Sequence, residues 1–321
     1  MTKQSTALVT GGSGFIGTWV LRELIAQGVR PVACDLQPNP ERWRRILGPD
    51  ASQITFVPVS LPDRGPLERA CDEHDVTHLI HLAALLTPAC HDDPWNGCQV
   101  NVLGSLALFE LARARADRIQ GFSYASSYAV YGPEADDSPA VGGAAENRPP
   151  TFYGAFKKAA DLIAEQYWRH FQIASVGIRP HVVYGPERNQ GLTAGPSLAA
   201  RAAALGEACC IGYTGRVGYD YVEDVARAFV RTALETPRGS HLVDLPSQSA
   251  TTEEFVQVID RVVPGAARQI TVAGPVIPPN VPPQPNFIDR LFPDWRATTL
   301  EEGVRRTIAF YSGGQDGVVG I

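Results

Sequence analysis

Short apolar runs and longer amphipathic stretches alternate along this chain. Residues 7–10 form an apolar run of strand character, and residues 18–25 follow with apolar positions at helical spacing. The pattern recurs: strands are predicted over 29–34, 54–59, 77–82, 121–125 and 174–178, separated by helices beginning at Pro66 and running over 94–116 and 153–171. On the helix over 94–116 the spacing turns Val100, Leu103, Leu106, Ala107 and Leu111 inward. Alternation of this kind predicts an α/β fold, a doubly wound Rossmann-type parallel sheet covered on both faces.

Between the first strand and its helix lie Gly11, Gly12, Ser13, Gly14, Phe15, Ile16 and Gly17. A strand, a glycine-rich turn and a helix start make a phosphate cradle, because free backbone N–H groups and the positive end of the helix dipole point at one spot. Gly11 permits the tight turn, Gly14 lets a pyrophosphate approach the backbone, and Gly17 lets the helix pack on the strand. The second strand ends at Asp35, 18 residues after Gly17, where an acid receives the adenosine ribose hydroxyls. Asp35 would repel a 2′-phosphate, so NAD is expected rather than NADP. Arg42, Arg44 and Arg45 read as the solvated face of a small helix.

Beyond Pro186 the character changes. Helices are predicted over 198–205 and 222–234, a strand over 241–245, a helix opened in capping-box style at Thr251, and a last helix from Thr299. Residues 132–150 read as a glycine- and proline-rich loop, 275–285 as a rigid proline-rich crossing, and the tail after Ser312 as loose. The expected division is an NAD-binding Rossmann domain over 1–180, with elements near 220–260 returning to it. Residues 181–321 then form mainly a smaller C-terminal substrate-binding lobe.

Composition narrows the class. Hydrophobic content of 44% with 19% charged residues is ordinary for a soluble globular enzyme, and a net charge of −6 argues against nucleic acid or an anionic membrane as partner. No segment approaches the length of a membrane span, and no cleavable signal precedes the first strand, so a cytoplasmic location is expected. The six cysteines (34, 71, 90, 98, 209, 210) include no paired motif and read as reduced thiols. No metal site is expected: strand alternation puts His78 and His81 on opposite faces.

The chemistry concentrates in two places. Ser126 and Ser127 follow the fifth strand directly, and Tyr153 and Lys157 share a face one helical turn apart. A lysine ammonium ~4 Å from a phenol supplies about 4 kcal/mol at an effective dielectric near 20. That matches the roughly 4 kcal/mol needed to bring a tyrosine from a pKa of ~10 to about 7. Tyr153 is then a base for a secondary alcohol, with Ser127 bonding the same oxygen.

Several stretches now add up to a resemblance: residues 10–17, His81 to Ala84, Asn101 to Gly104, Ser126-Ser127 before Val130-Tyr131-Gly132, Tyr153 with Lys157, and Arg179-Pro180 before Val183 to Pro186. Together they resemble the extended short-chain dehydrogenase/reductase family, and within it the NAD-dependent epimerase/dehydratase branch. The resemblance implies Tyr153 as acid/base, Lys157 on the nicotinamide ribose and Ser127 as oxygen-binding partner. It implies a cofactor bed of Gly11, Gly14, Phe15, Ile16 and Gly17, then Asp35 and Leu36, then Ser60 and Leu61. Leu82, Ala83 and Ala84 continue that bed, with Asn101, Ser126, Tyr153, Lys157, Pro180 and Val183. A homodimer built on the helices at Pro94 and Tyr153 is also implied.

Departures from the family pattern bear on the substrate. Val59-Ser60 stands where a Gly-Asp pair is usual. Arg179-Pro180-His181-Val182 lacks the asparagine of the UDP-sugar epimerases. Val217 and Gly218 occupy the places of their Arg-Asp, with Arg216 displaced by one. A bidentate arginine clamp on diphosphate is thus missing. These features favour an NAD-dependent oxidoreductase acting on a secondary alcohol of a sugar, sugar acid or small hydroxy compound. The alternative is a nucleotide-sugar (UDP-sugar) 4-epimerase, and a third reading is a non-catalytic NAD-sensing protein. Candidate contacts to the small-molecule substrate are Ser127, Tyr128, His181, Thr193 and Arg216. His181 reads equally as a satisfied buried histidine.

Overall fold

The computed structural model describes residues 4–132, 149–277 and 286–313. Most of the loop over 132–150, most of the proline run over 275–285 and nearly all of the tail after Ser312 lie outside the described residues. The strands are β1 (Thr6–Thr10), β2 (Arg30–Asp35), β3 (Thr55–Pro58), β4 (His78–His81), β5 (Gly121–Ala125) and β6 (Ser175–Arg179). They continue with β7 (Val182–Tyr184), β8 (Cys209–Ile211), β9 (Arg216–Tyr221), β10 (Ser240–Asp244), β11 (Gln248–Thr251) and β12 (Ile270–Val272). The helices of the first half are α1 (Phe15–Ala26), α2 (Pro40–Leu47), α3 (Arg64–Glu73), α4 (Thr87–Asp92), α5 (Pro94–Cys98), α6 (Gly104–Ala114) and α7 (Phe152–Phe171). Those of the second half are α8 (Gly195–Leu205), α9 (Val222–Leu234), α10 (Thr252–Val262) and α11 (Leu300–Ser312).

Seven strands form one sheet in the order β10-β6-β5-β4-β1-β2-β3, and every pairing in it is parallel. Both faces are buried, so adjacent residues of one strand enter different cores. Ala7, Val9, Ala33 and Ile80 join the core that holds α1 and α9, whereas Leu8, Val32 and Leu79 join the core under α3, α6 and α7. The chain leaves β1 toward β2 and β3, then returns to β4 on the other side. A doubly wound sheet opens its ligand crevice at such a switch point, outside the carboxyl ends of β1 and β4.

The second half builds a three-stranded sheet, β11-β9-β7, and a two-stranded one, β12-β8. These strands are absent from the sequence expectation, since runs of only three to six residues are too short to show a period. β10, by contrast, returns to the main sheet alongside β6.

The helix expected over 94–116 is interrupted. A π turn spans Gln99–Leu103 between α5 and α6. One extra residue in that turn rotates what precedes it, and Leu103, expected inside, is 43% exposed. Within that turn the buried Asn101 amide bonds both the N–H and the C=O of Leu85 at 2.8 and 2.9 Å.

Candidate active site

The β1–α1 turn is shaped by what it cannot admit. Gly11 has φ +75°, and a Cβ there would lie 2.8 Å from the Ala83 nitrogen; a Cβ at Gly17 would lie 2.0 Å from the Gly11 oxygen. Gly14 caps α1 with no side-chain hydrogen bond, which leaves the first N–H groups of the helix free for an anion. Asp35 is anchored beside it, accepting from the Ser13 N–H at 3.1 Å and the Leu36 N–H at 2.8 Å. Leu36 itself is 62% exposed, an apolar shelf next to that carboxylate. Ser60 is exposed beyond β3, and Leu61 packs where a Cβ on Gly104 would meet it. On the β4 side the Leu82 N–H donates to the Thr10 oxygen at 3.1 Å, and the Asn101 amide fixes Leu85 beyond Ala83 and Ala84.

Among the buried polar atoms without a partner, Ser13 Oγ, Ser126 Oγ and Arg42 Nε lie around this crevice. Orphaned donors cost free energy unless a ligand answers them. The glycine cradle, the anchored Asp35 and these unmet groups fit a dinucleotide.

Ser127 caps the short turn Tyr128–Val130, its Oγ accepting from the Ala129 N–H at 3.1 Å. The first turn of α7 is pressed onto this element, since a Cβ on Gly154 would lie 2.1 Å from the Ala129 oxygen. That close approach sets the Ser127 hydroxyl close enough to the Tyr153 phenol to favour its ionised form. Burial pushes the Tyr153 phenol up from its ordinary value, while the Ser127 hydroxyl and the Arg188 charge pull the other way. Lys157, one turn on, is buried and donates from Nζ to the Ala125 oxygen at 2.7 Å, 5.7 Å from the Tyr153 ring centroid. Burial pushes Lys157 down to about 8, opposed by Asp161.

The one-turn spacing of Tyr153 and Lys157 predicts an ammonium that makes the phenol acidic, and the fold departs from that. Without a cofactor, the ammonium is committed to a carbonyl of β5, and the phenol is a neutral acid. Asp161 in turn pairs with Arg179 at 2.7 Å, and Arg179 donates to the Tyr131 hydroxyl at 2.6 Å. This buried network ties α7 to the end of β6.

On the substrate side, the Tyr128 and His181 rings lie against each other with centroids 3.5 Å apart. The Pro180 oxygen accepts from the Tyr128 N–H at 3.2 Å, which seats both beside the Ser127 turn. Gly218 makes the room: a Cβ there would lie 2.7 Å from the His181 ring. Burial pushes His181 down to about 4, so it is a neutral packing group at pH 7. Thr193 Oγ1 accepts from Arg188 Nη2 at 2.7 Å, and the oxygen of buried Val183 accepts from Nη1. Arg216 goes outward: half-exposed, it pairs with Glu254 at 2.8 Å.

A family model described as the NAD dependent epimerase/dehydratase family matches residues 7–269. The chain belongs to that family. A probable UDP-glucuronate 4-epimerase of Rhizobium meliloti is 27% identical over 334 residues, covering 95% of this chain and 96% of that protein. A UDP-glucose 4-epimerase of Mycolicibacterium smegmatis is 26% identical, covering 95% and 97%. Among solved structures, a UDP-glucose 4-epimerase of Thermotoga maritima, described with UDP-glucose, superposes with a TM-score of 0.78. It is 22% identical and covers 97% of this chain and 100% of that one, a likeness of fold.

The chain is therefore an enzyme of the NAD-dependent epimerase/dehydratase family, and NAD is its cofactor. Two features of this member were not read from sequence. Arg188, in the loop after β7, carries no periodic signal; only its unpartnered, buried Nε marks it. Asp220 on β9 is the other. It is 5% exposed, accepts from the His181 N–H at 2.7 Å, and is pushed up to about 7, chiefly by burial and further by Asp224 and Asp244.

An unfolded aspartate titrates near ~3.9. Stability is thus full below that value, falls as pH rises between about 4 and 7, and is level above it. Each tenfold preference of the fold for the protonated carboxyl is worth about 1.4 kcal/mol. Asp220→Asn is expected to raise Tm by several degrees at pH 8 and to leave it unchanged at pH 4. Parallel pH profiles for the two proteins would refute this.

Proposed function

We propose that the protein is a UDP-sugar 4-epimerase. The reading rests on the Ser127–Tyr153 hydroxyl pair beside the dinucleotide cradle, together with two relatives of matching length whose names specify 4-epimerisation. When bound, NAD supplies a hydride acceptor and, once reduced, a donor. Everything else falls to the chain. In the loaded enzyme Tyr153, having released its own proton to solvent, would as the phenolate take the proton of the sugar hydroxyl and return it to the same oxygen as the carbon is reduced with inverted configuration. Ser127 Oγ donates to that oxygen and stabilises the charge developing on it. Lys157, held by the Ala125 oxygen, keeps a cation one turn below the phenol.

A second reading, a dehydrogenase of a smaller hydroxylated compound, draws on Val217 and Gly218, which put no arginine at the diphosphate clamp. Turnover separates the two. The NAD-loaded protein with UDP-glucuronate or UDP-glucose is expected to give the C4-inverted sugar with no net NADH. Stoichiometric NADH without inversion would replace the epimerase with the dehydrogenase.

The same reading takes the protein as a cytoplasmic homodimer. Supporting the dimer, Trp95, Leu103, Phe152, Leu162 and Phe171 are exposed apolar side chains along the stretch from α5 to α6 and on α7. The six cysteines are unpaired thiols, as in a reducing compartment. Among the described residues no helix is long and apolar enough to cross a membrane.

A further inference from the structure

Arg188 carries a charge that the described fold leaves unanswered. Its Nη1 and Nη2 donate to the Val183 oxygen and the Thr193 hydroxyl, both neutral acceptors, and its Nε is buried without a partner. The guanidinium carbon lies 5.8 Å from the Phe15 ring centroid, over the start of α1. No described carboxylate pairs with it, and the adjacent Glu187 is turned to Arg45 at 3.2 Å. Burial pushes Arg188 down to about 10, still a cation at neutral pH. A half-buried cation with a buried, unpartnered Nε and no counterion is costly, and such groups are found paired. The planar fork keeps Nε–H and the unused Nη hydrogens for a second partner, the geometry that takes a carboxylate bidentately.

We infer that Arg188 is the receptor for a carboxylate of the substrate, borne on the carbon next to the one whose hydroxyl meets Tyr153. The substrate is then a uronic acid or its nucleotide derivative. This deepens the proposed function and rests on it for the position of the reacting carbon. The charge of Arg188 is felt at the Tyr153 phenol. A hexuronate oxidised at C4 holds the carboxylate on C5 directly beside that centre, whereas a diphosphate on C1 is at the opposite end of the ring. The side chain that orients the fork is Thr193.

Calorimetric titration of the NAD-loaded full chain tests this without turnover. UDP-glucuronate is compared with UDP-glucose, and free glucuronate with glucose, in wild type, Arg188→Gln and Arg188→Lys. Wild type is expected to bind the acid of at least one pair some ~10–100-fold more tightly than its neutral partner, the range of a charge-assisted bidentate pair. Arg188→Gln is expected to erase that difference by weakening the acid alone, Arg188→Lys to keep part of it, and NAD affinity to stay within about twofold in both. Should Arg188→Gln fail to fold, Thr193→Val, which removes only the orienting hydroxyl, is expected to reduce the preference for the acid at an unchanged Tm.

Equal binding of acid and neutral partner by wild type, or binding of neither acid, overturns the inference. So does an equal loss on both members of a pair. Loss of NAD affinity instead assigns Arg188 to the cofactor's pyrophosphate and overturns it as well. A protein that binds uronates through Arg188 yet inverts no C4 centre sinks the epimerase reading and keeps this one.

Discussion

Tyr153→Phe is expected to lower kcat by roughly 10²–10⁴-fold, the range of a general acid–base group, with NAD binding retained. The substitution removes one oxygen and keeps the ring. The first turn of α7 is positioned by the Thr151 cap and by Gly154 against Ala129, and neither uses the phenol oxygen. The fold is therefore expected to survive, with Tm close to wild type. What goes is the hydroxyl that sits beside Ser127 and is to exchange a proton with the substrate.

Ser127→Ala is part of the same unit, so the double variant should lose little beyond Tyr153→Phe alone. Single-turnover hydride transfer, read with cofactor affinity, checks the claim. A Tyr153→Phe protein with unchanged turnover would end the catalytic assignment and leave a chain that only senses its cofactor.

How far the sequence reaches depends on how local the cause is. Leu8 and Val9, or Leu79 and Ile80, announce a two-faced parallel sheet because both neighbours are apolar and both are buried. Tyr153 and Lys157 announce a shared helix face because four residues make about one turn. Their relation to each other is less local. Lys157 turns to the oxygen of Ala125, 32 positions away on β5, and no spacing rule contains that acceptor.

The side taken by Leu103 follows from a π turn that also holds Asn101, whose amide bonds Leu85 16 positions away. The fate of His181 is open in the sequence, and a glycine on another strand settles it as a packed ring. Arg188 is the extreme case. Among the arginines of this chain many sit in surface pairs, and composition does not tell which one is half-buried beside neutral acceptors.

Gly17→Ala is expected to destroy cofactor binding, and two opposed effects decide its size. In a helix interior alanine is favoured over glycine by about 1 kcal/mol. Gly17 lies inside α1 with no unusual φ, so propensity alone predicts a stabilised protein. Against that, the new Cβ would stand 2.0 Å from the Gly11 oxygen, 2.8 Å from its carbonyl carbon and 2.9 Å from the Gly12 Cα. All three are backbone atoms of the turn, and none can swing aside as a side-chain end would.

Helix α1 must move off β1, and inserting a methyl into such packing typically costs ~1–3 kcal/mol. The displacement falls on the N–H groups that form the anion cradle, so NAD affinity is expected to drop by roughly 100-fold or more, with Tm several degrees lower. Gly28 is the control at the other end of the same helix. Its φ is +72° and a Cβ there meets nothing within 4 Å, so Gly28→Ala carries only backbone strain of about 1 kcal/mol. It should lose some stability and keep its cofactor. If Gly17→Ala bound NAD as well as Gly28→Ala does, the turn would not be the site of the pyrophosphate.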